Sequence, residues 1–128
     1  MAKVTGIGGV FFRSRDPKEL SNWYKDQLGI ETTDGGFSLM WWREDENPER
    51  RAHTVWSPFA ADTEYFGPTS NQFMVNYRVD DLDEMLQQLE SAGVEIDPKR
   101  EESEFGRFAW IADPEGNRIE LWEPPEGQ

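Results

Sequence analysis

The chain has 128 residues, 36% of them hydrophobic and none of them cysteine. That is enough for one domain with its own core, and it excludes a disulfide framework, a thiol nucleophile and a thiolate metal site. Twenty-six acidic residues against 13 Lys and Arg give a net charge of −13; a phosphate-neutralising patch is hard to build on such a surface, so nucleic acid and anionic membrane are disfavoured as partners.

No apolar run approaches the ~18 residues of a membrane span, and no charged-then-apolar leader is visible. A soluble, cytoplasmic protein is the expectation. The acidity itself has two readings, solubility (in a salty habitat, for instance) or attraction of a cationic ligand. Six Trp and eight Phe exceed what one small core ordinarily needs.

In chain order, Val4 to Ser14 reads as a strand, with Gly6, Gly8 and Gly9 marking a bulge or a close backbone approach. Asp16-Pro17-Lys18-Glu19 opens a helix with a capping Asp and Pro at its first position. Leu20, Trp23, Tyr24 and Leu28 make its apolar stripe, and Gly29 stops it. Residues 30–33, 37–43 and 52–59 follow as strands, turned at Asp34-Gly-Gly36, with a charged loop over 44–51. Residues 60–71, containing Gly67-Pro68, form a connection between two halves.

The second half repeats the first. Phe73 to Val79 is a strand, Asp81-Leu-Asp-Glu84 opens a helix, and Leu82, Met85, Leu86 and Leu89 form the stripe that ends at Gly93. Strands at 94–96, 107–111 and 118–122 complete it. The last two are joined by the Asp113-Pro-Glu-Gly-Asn117 turn, where Pro and Gly supply the fixed and the permissive φ. A shift of 65 residues superposes Asp16 on Asp81, Glu19 on Glu84 and Val10 on Val75. The fold class is therefore α+β: a single domain over 1–128, made of two tandem βαβββ modules at about 4–60 and 72–124. Each sheet has a helix on its back, and the free faces are left to curl into a cup.

Four segments carry a resemblance to a known family. They are the strand entering Asp16-Pro17, the helix end Trp23-Tyr-Lys-Asp-Gln-Leu-Gly29, Arg78-Val-Asp-Asp-Leu-Asp83, and Asp113-Pro-Glu-Gly-Asn117 followed by Glu120. Together they resemble the vicinal oxygen chelate superfamily of glyoxalase I, bleomycin-resistance proteins, extradiol dioxygenases and fosfomycin-resistance enzymes, over roughly residues 7 to 123. The resemblance implies a small-molecule site in the cup, a homodimer, and a divalent metal held at the start of each module's first strand and in each module's last strand.

The four metal corners are poorly filled. The first falls on Gly9, which has no side chain, and its counterpart on Met74, a poor ligand for a hard cation. Glu120 matches the last-strand carboxylate. Its counterpart falls on Val55, or, with a slip of two residues, on His53, the only histidine. Two ligands fall short of a catalytic zinc site, which takes three from the protein. No cofactor is expected; if a metal is bound, Glu120 and His53 are its ligands.

Strand parity places Phe11, Arg13, Met74, Asn76, Arg78, Trp110, Glu120 and Trp122 on the cup face. They make either an aromatic pocket with a few polar groups or a face on which Arg13, Arg78 and Glu120 pair with one another. Burial among rings would raise the Glu120 pKa and suit a general base, whereas an adjacent Arg would fix it as an anion. The leading expectation is a metal-independent protein that binds a small organic molecule, a cationic aromatic if the likeness to bleomycin-resistance proteins extends so far. The alternatives are a metal-dependent glyoxalase- or dioxygenase-like lyase, isomerase or oxygenase, with Glu120 as ligand or catalytic group, and a dimeric interaction module.

Overall fold

The computed structural model describes residues 1–68 and 70–126; residues 69, 127 and 128 of the expected domain lie outside that description. The elements are β1 (Val4–Ser14), α1 (Pro17–Leu28), β2 (Ser38–Arg43), β3 (Arg51–Ala60), β4 (Phe73–Val79), α2 (Leu82–Ser91), β5 (Ile96–Ser103), β6 (Gly106–Ala112) and β7 (Arg118–Glu123). The strands form one sheet in the order β2-β3-β1-β4-β7-β6-β5.

The sheet is a pseudo-two-fold object. In each half the first strand runs parallel to the last, β1 with β3 and β4 with β7, while β1 and β4 pair antiparallel at the centre. Val10 is opposite Val75, the two residues that the 65-residue shift superposes, so the repeat axis passes between them. Register shifts in β1 between Val4 and Gly6 and between Ile7 and Gly9 are the irregularities expected from its glycines.

Both helices start where the capping residues predict. The Asp16 carboxylate accepts from the Glu19 N–H at 3.1 Å and Asp81 from the Glu84 N–H at 3.0 Å, each satisfying one free amide of a first turn. Gly29 ends α1 at φ 71°, a conformation that costs residues with a Cβ about 1–2 kcal/mol. Under α2 the stripe is buried as expected, with Leu82 and Met85 against Val79, Ala109 and Leu121. Under α1, Tyr24 packs on Phe12 and Trp56, but Trp23 and Leu28 are 54% and 62% exposed, so half of that stripe faces outward.

Two strands differ from the sequence expectation. Residues 30–33 form no strand; only Thr33 reaches across the turn, its N–H donating to the Phe37 carbonyl at 2.7 Å, and the first module contributes three strands. In the second, β5 runs on to Ser103 through Asp-Pro-Lys-Arg-Glu-Glu. It is an edge strand, and charges and Pro are what an edge carries to resist further pairing, which is why its sequence reads as loop.

The front of the sheet curls. His53 on β3 and Trp122 on β7 are three strand spacings apart, about 14 Å on a flat sheet, yet their ring centroids are 5.6 Å apart. Backbones approach side chains closely in this bend: a Cβ on Gly8 would run into Asn76 Oδ1 and lie 2.7 Å from the Trp122 ring. Gly8→Ala is accordingly expected to lower stability by about 1–3 kcal/mol through overpacking, read as a lower urea midpoint at unchanged slope; an unchanged midpoint would contradict this packing.

Candidate functional site

One row of the sheet organises the cup. Val55, Gly9, Asn76, Glu120 and Trp110 are successive ladder partners across β3, β1, β4, β7 and β6. All eight side chains assigned to this face by parity lie on it, and all but Arg13 are buried. Glu120 and Trp110 are completely so.

The alternative of a polar pairing among Arg13, Arg78 and Glu120 is not how the described contacts run. Arg13 turns to the 60–71 connection, donating from Nη1 to the Ala61 and Thr63 carbonyls and from Nε to that of Asn71. Arg78 sits at the opposite end, 3.3 Å from Glu44, with its guanidinium over the rings of Trp42 and Trp122. His53 shares that end, its ring against Trp41 and Trp122. Burial, and secondarily the Arg78 charge, push its pKa down.

Glu120 has different company. Tyr65, from the connection, donates its hydroxyl to one carboxylate oxygen, and Asn76 donates from Nδ2 to the other at 2.9 Å. Burial raises the Glu120 pKa above the ordinary carboxylate range; these hydrogen bonds and the more distant Arg118 charge oppose it without winning. The Tyr65 hydroxyl is likewise pushed up, by burial and then by Glu120. Desolvation is thus the largest influence on Glu120, which is fully buried and hydrogen-bonded at both oxygens.

Sequence reasoning missed the lid of this site. Tyr65 and Phe66 dip from the connection into the cup; Phe66 is fully buried with Phe11, Met74 and Trp110, and Phe59, Val55 and Phe108 pack around them. The cup is thus filled by its own chain, where an open pocket was the expectation. The available signal was an aromatic pair inside a polar connection, since adjacent large rings are seldom both left in water. A cavity of about 280 Å³ opens beside this plug, between Phe66, Pro68, Ile96, Ile111 and Arg118.

The residues present do not fit a metal. Gly9 lacks a donor, and a Cβ there would lie 2.6 Å from the Phe11 ring, so a ring occupies that corner. Met74 is packed in the aromatic cluster. Asn76 pairs with Glu120 and Phe11 with Ser57, and the repeat superposes Phe11 on Asn76 through their shared axis at Val10 and Val75. The first-module counterpart of Glu120 is therefore Ser57, rather than Val55 or His53. His53 stands one row away, and both Glu120 oxygens already accept hydrogens. Among the described residues no three His, Cys, Asp or Glu are grouped as a metal site.

The family model for the Glyoxalase/Bleomycin resistance protein/Dioxygenase superfamily matches residues 6–121. Solved structures share the fold. Methylmalonyl-CoA epimerase from Mycobacterium tuberculosis is 24% identical with a TM-score of 0.57, the match covering 94% of this chain and 89% of that one. A Streptomyces coelicolor methylmalonyl-CoA epimerase variant in complex with 2-nitronate-propionyl-CoA is 12% identical with a TM-score of 0.68, covering 98% and 99%. The 2,2',3-trihydroxybiphenyl 1,2-dioxygenase of Sphingomonas wittichii is 20% identical with a TM-score of 0.60, covering 98% of this chain and 43% of that one. No curated protein matches the chain in sequence.

The raised Glu120 pKa gives a signed prediction. The folded chain holds this proton more tightly than the unfolded chain. Its contribution to stability is full below the ordinary value of 4.5 and is lost as pH rises through the folded value. Glu120→Gln imitates the protonated form at every pH. The stability of the variant relative to the parent should rise with pH across that window and then level off, as measured by urea unfolding from acid to mildly alkaline pH; a difference that stays constant or falls would show that Glu120 is not desolvated.

Proposed function

The chain belongs to the glyoxalase/bleomycin resistance protein/dioxygenase superfamily, and from that premise we propose that it binds a small organic molecule in its aromatic cup, anchored on Glu120 and without a metal. One observation carries the reading: a fully buried carboxyl group, paired across the sheet with Trp110, whose two oxygens both accept hydrogen bonds. Small-molecule sites combine apolar walls with a few placed polar groups in this way. A carboxyl raised by burial favours a neutral ligand that donates to it over a cation held by a fixed charge. The cationic aromatic implied by the family resemblance is therefore the weaker candidate.

The enzyme alternative finds no support for its metal-dependent form in the donor set among the described residues. It keeps another. A carboxyl whose pKa is raised by burial is a stronger base than an exposed one, and Glu120 would be the general base acting on a carbon acid. That reading predicts exchange of substrate hydrogen with deuterated solvent, abolished in Glu120→Gln.

The proposal includes a homodimer, for which the exposed Trp23 and Leu28 on α1 and Phe73 on β4 offer apolar surface. Sedimentation should give twice the mass of one chain; a strictly monomeric species removes that part.

Calorimetric titration of the purified protein with Mn, Fe, Co, Ni and Zn is expected to show no stoichiometric uptake at millimolar metal. A neutral aromatic with a hydrogen-bond donor is expected to quench Trp110 and Trp122 fluorescence, and Glu120→Leu to weaken it about tenfold, the ~1.4 kcal/mol of one buried hydrogen bond. Tight metal binding abolished by Glu120→Gln would instead give this chain a metal site and restore the metal-dependent alternative.

A further inference from the structure

The ring that fills the cup belongs to the connection, and its contacts are those of a bound ligand. Tyr65 stacks on Phe59 with centroids 5.3 Å apart and planes 9° from parallel. It meets Phe11 and Trp110 edge-on at 6.2 and 6.4 Å, and its hydroxyl donates to Glu120. A flat face, two edges and one polar anchor define a slot for a single ring. Of the residues around the ring, Asn76 Oδ1 and Trp110 Nε1 are buried with no hydrogen-bond partner among the described residues. They leave an acceptor and a donor that one hydroxyl does not satisfy.

The connection is held in a way that allows the ring to leave. Arg13 clamps the carbonyls of Ala61, Thr63 and Asn71, and the Asn71 amide bonds Asn117. Between the clamps, Gly67 takes φ 74°, and the backbone bond that closes this turn is internal to it, from Gly67 N–H to the Glu64 carbonyl at 3.0 Å. Besides the Tyr65 and Phe66 side chains, Gly67 lies against the Arg118 side chain and the Arg13 guanidinium stands over the Phe66 ring; among the described residues no backbone bond to a strand holds Tyr65 itself.

We propose that Tyr65 is an internal stand-in for the ligand: binding is an exchange in which a neutral, single-ring molecule with a hydrogen-bond donor takes the slot on Phe59 and the bond to Glu120 while Tyr65 swings out. The inference rests on the cup being the binding site, and adds that Tyr65 sets both the class of ligand and its affinity. Intrinsic affinity is reduced by the fraction of chains in which the slot is open, so removing the competitor tightens binding without adding a contact.

The probe is p-cresol, the tyrosine side chain as a free molecule, with toluene as the same shape lacking the donor. The chain has three tyrosines, so ring-labelled NMR resolves Tyr65, assigned with Tyr65→Phe. In the parent protein, saturating p-cresol should move the Tyr65 ring signals to solvent-exposed values and leave Tyr24 and Tyr77 in place. Tyr65→Ala should bind p-cresol at least tenfold more tightly than the parent and toluene at least tenfold more weakly than p-cresol. If Tyr65→Ala does not fold, Tyr65→Phe carries the test, with affinity for p-cresol several-fold above the parent. Equal affinity in parent and variant, or a Tyr65 signal that stays buried at saturation, overturns the exchange but leaves small-molecule binding standing. Absence of p-cresol binding to every form overturns the exchange; the cup as a binding site then falls too only if a wider aromatic library also leaves Trp110 and Trp122 fluorescence unchanged.

Discussion

The antiparallel pairing of β1 with β4 is the constraint on which the rest of the molecule depends. It joins two half-sheets edge to edge at Val10 and Val75, giving each first strand a partner on both sides. Each half is a strand, a covering helix and a return strand parallel to the first; alone, it would leave an unpaired central edge open to association. The same pairing fixes the register that carries Gly9, Asn76, Glu120 and Trp110 into one row. Moving β4 by one residue would send Asn76 to the helix side and leave the cup without its amide.

That row is dry because the chain closes it twice, by curling the sheet and by folding Tyr65 and Phe66 over it. Burial then sets the chemistry. A buried carboxylate without a cation beside it is costly, so burial raises the Glu120 pKa, and the groups bonded to it, Tyr65 and Asn76, are uncharged. The cations of the face stand elsewhere: Arg13 on the connection, Arg78 with Glu44, and Arg118 with Asp97 at 2.9 Å.

Much of this was legible in the sequence, for identifiable reasons. Strand parity follows from the backbone alone, so Phe11, Met74, Asn76, Trp110, Glu120 and Trp122 could be put on one face without knowing their partners. The caps at Asp16 and Asp81 are local and were equally readable. Three things were not. Residues 30–33 have strand-like composition but no neighbour to pair with, since β2 lies beside β3 and the sheet ends there. Edge strand β5 is written in charges and Pro. The entry of Tyr65 into the cup depends on the Arg13 clamp and the curl of the sheet, which no local pattern encodes. The counterpart of Glu120 was misplaced because the two halves differ in length between their first and last strands, so a constant shift that aligns Val10 with Val75 lands two residues short of Ser57.

The state of Glu120 is the most direct test of a dry, metal-free cup. A titration of the glutamate side-chain carboxyl carbons by ¹³C NMR, with Glu120 assigned from Glu120→Gln, reads it without reference to any ligand. A desolvated, metal-free Glu120 titrates above the other glutamates and is unaffected by millimolar zinc or manganese. A carboxyl that titrates at or below the ordinary value of 4.5, or one whose signal is shifted or broadened by stoichiometric metal, would contradict it.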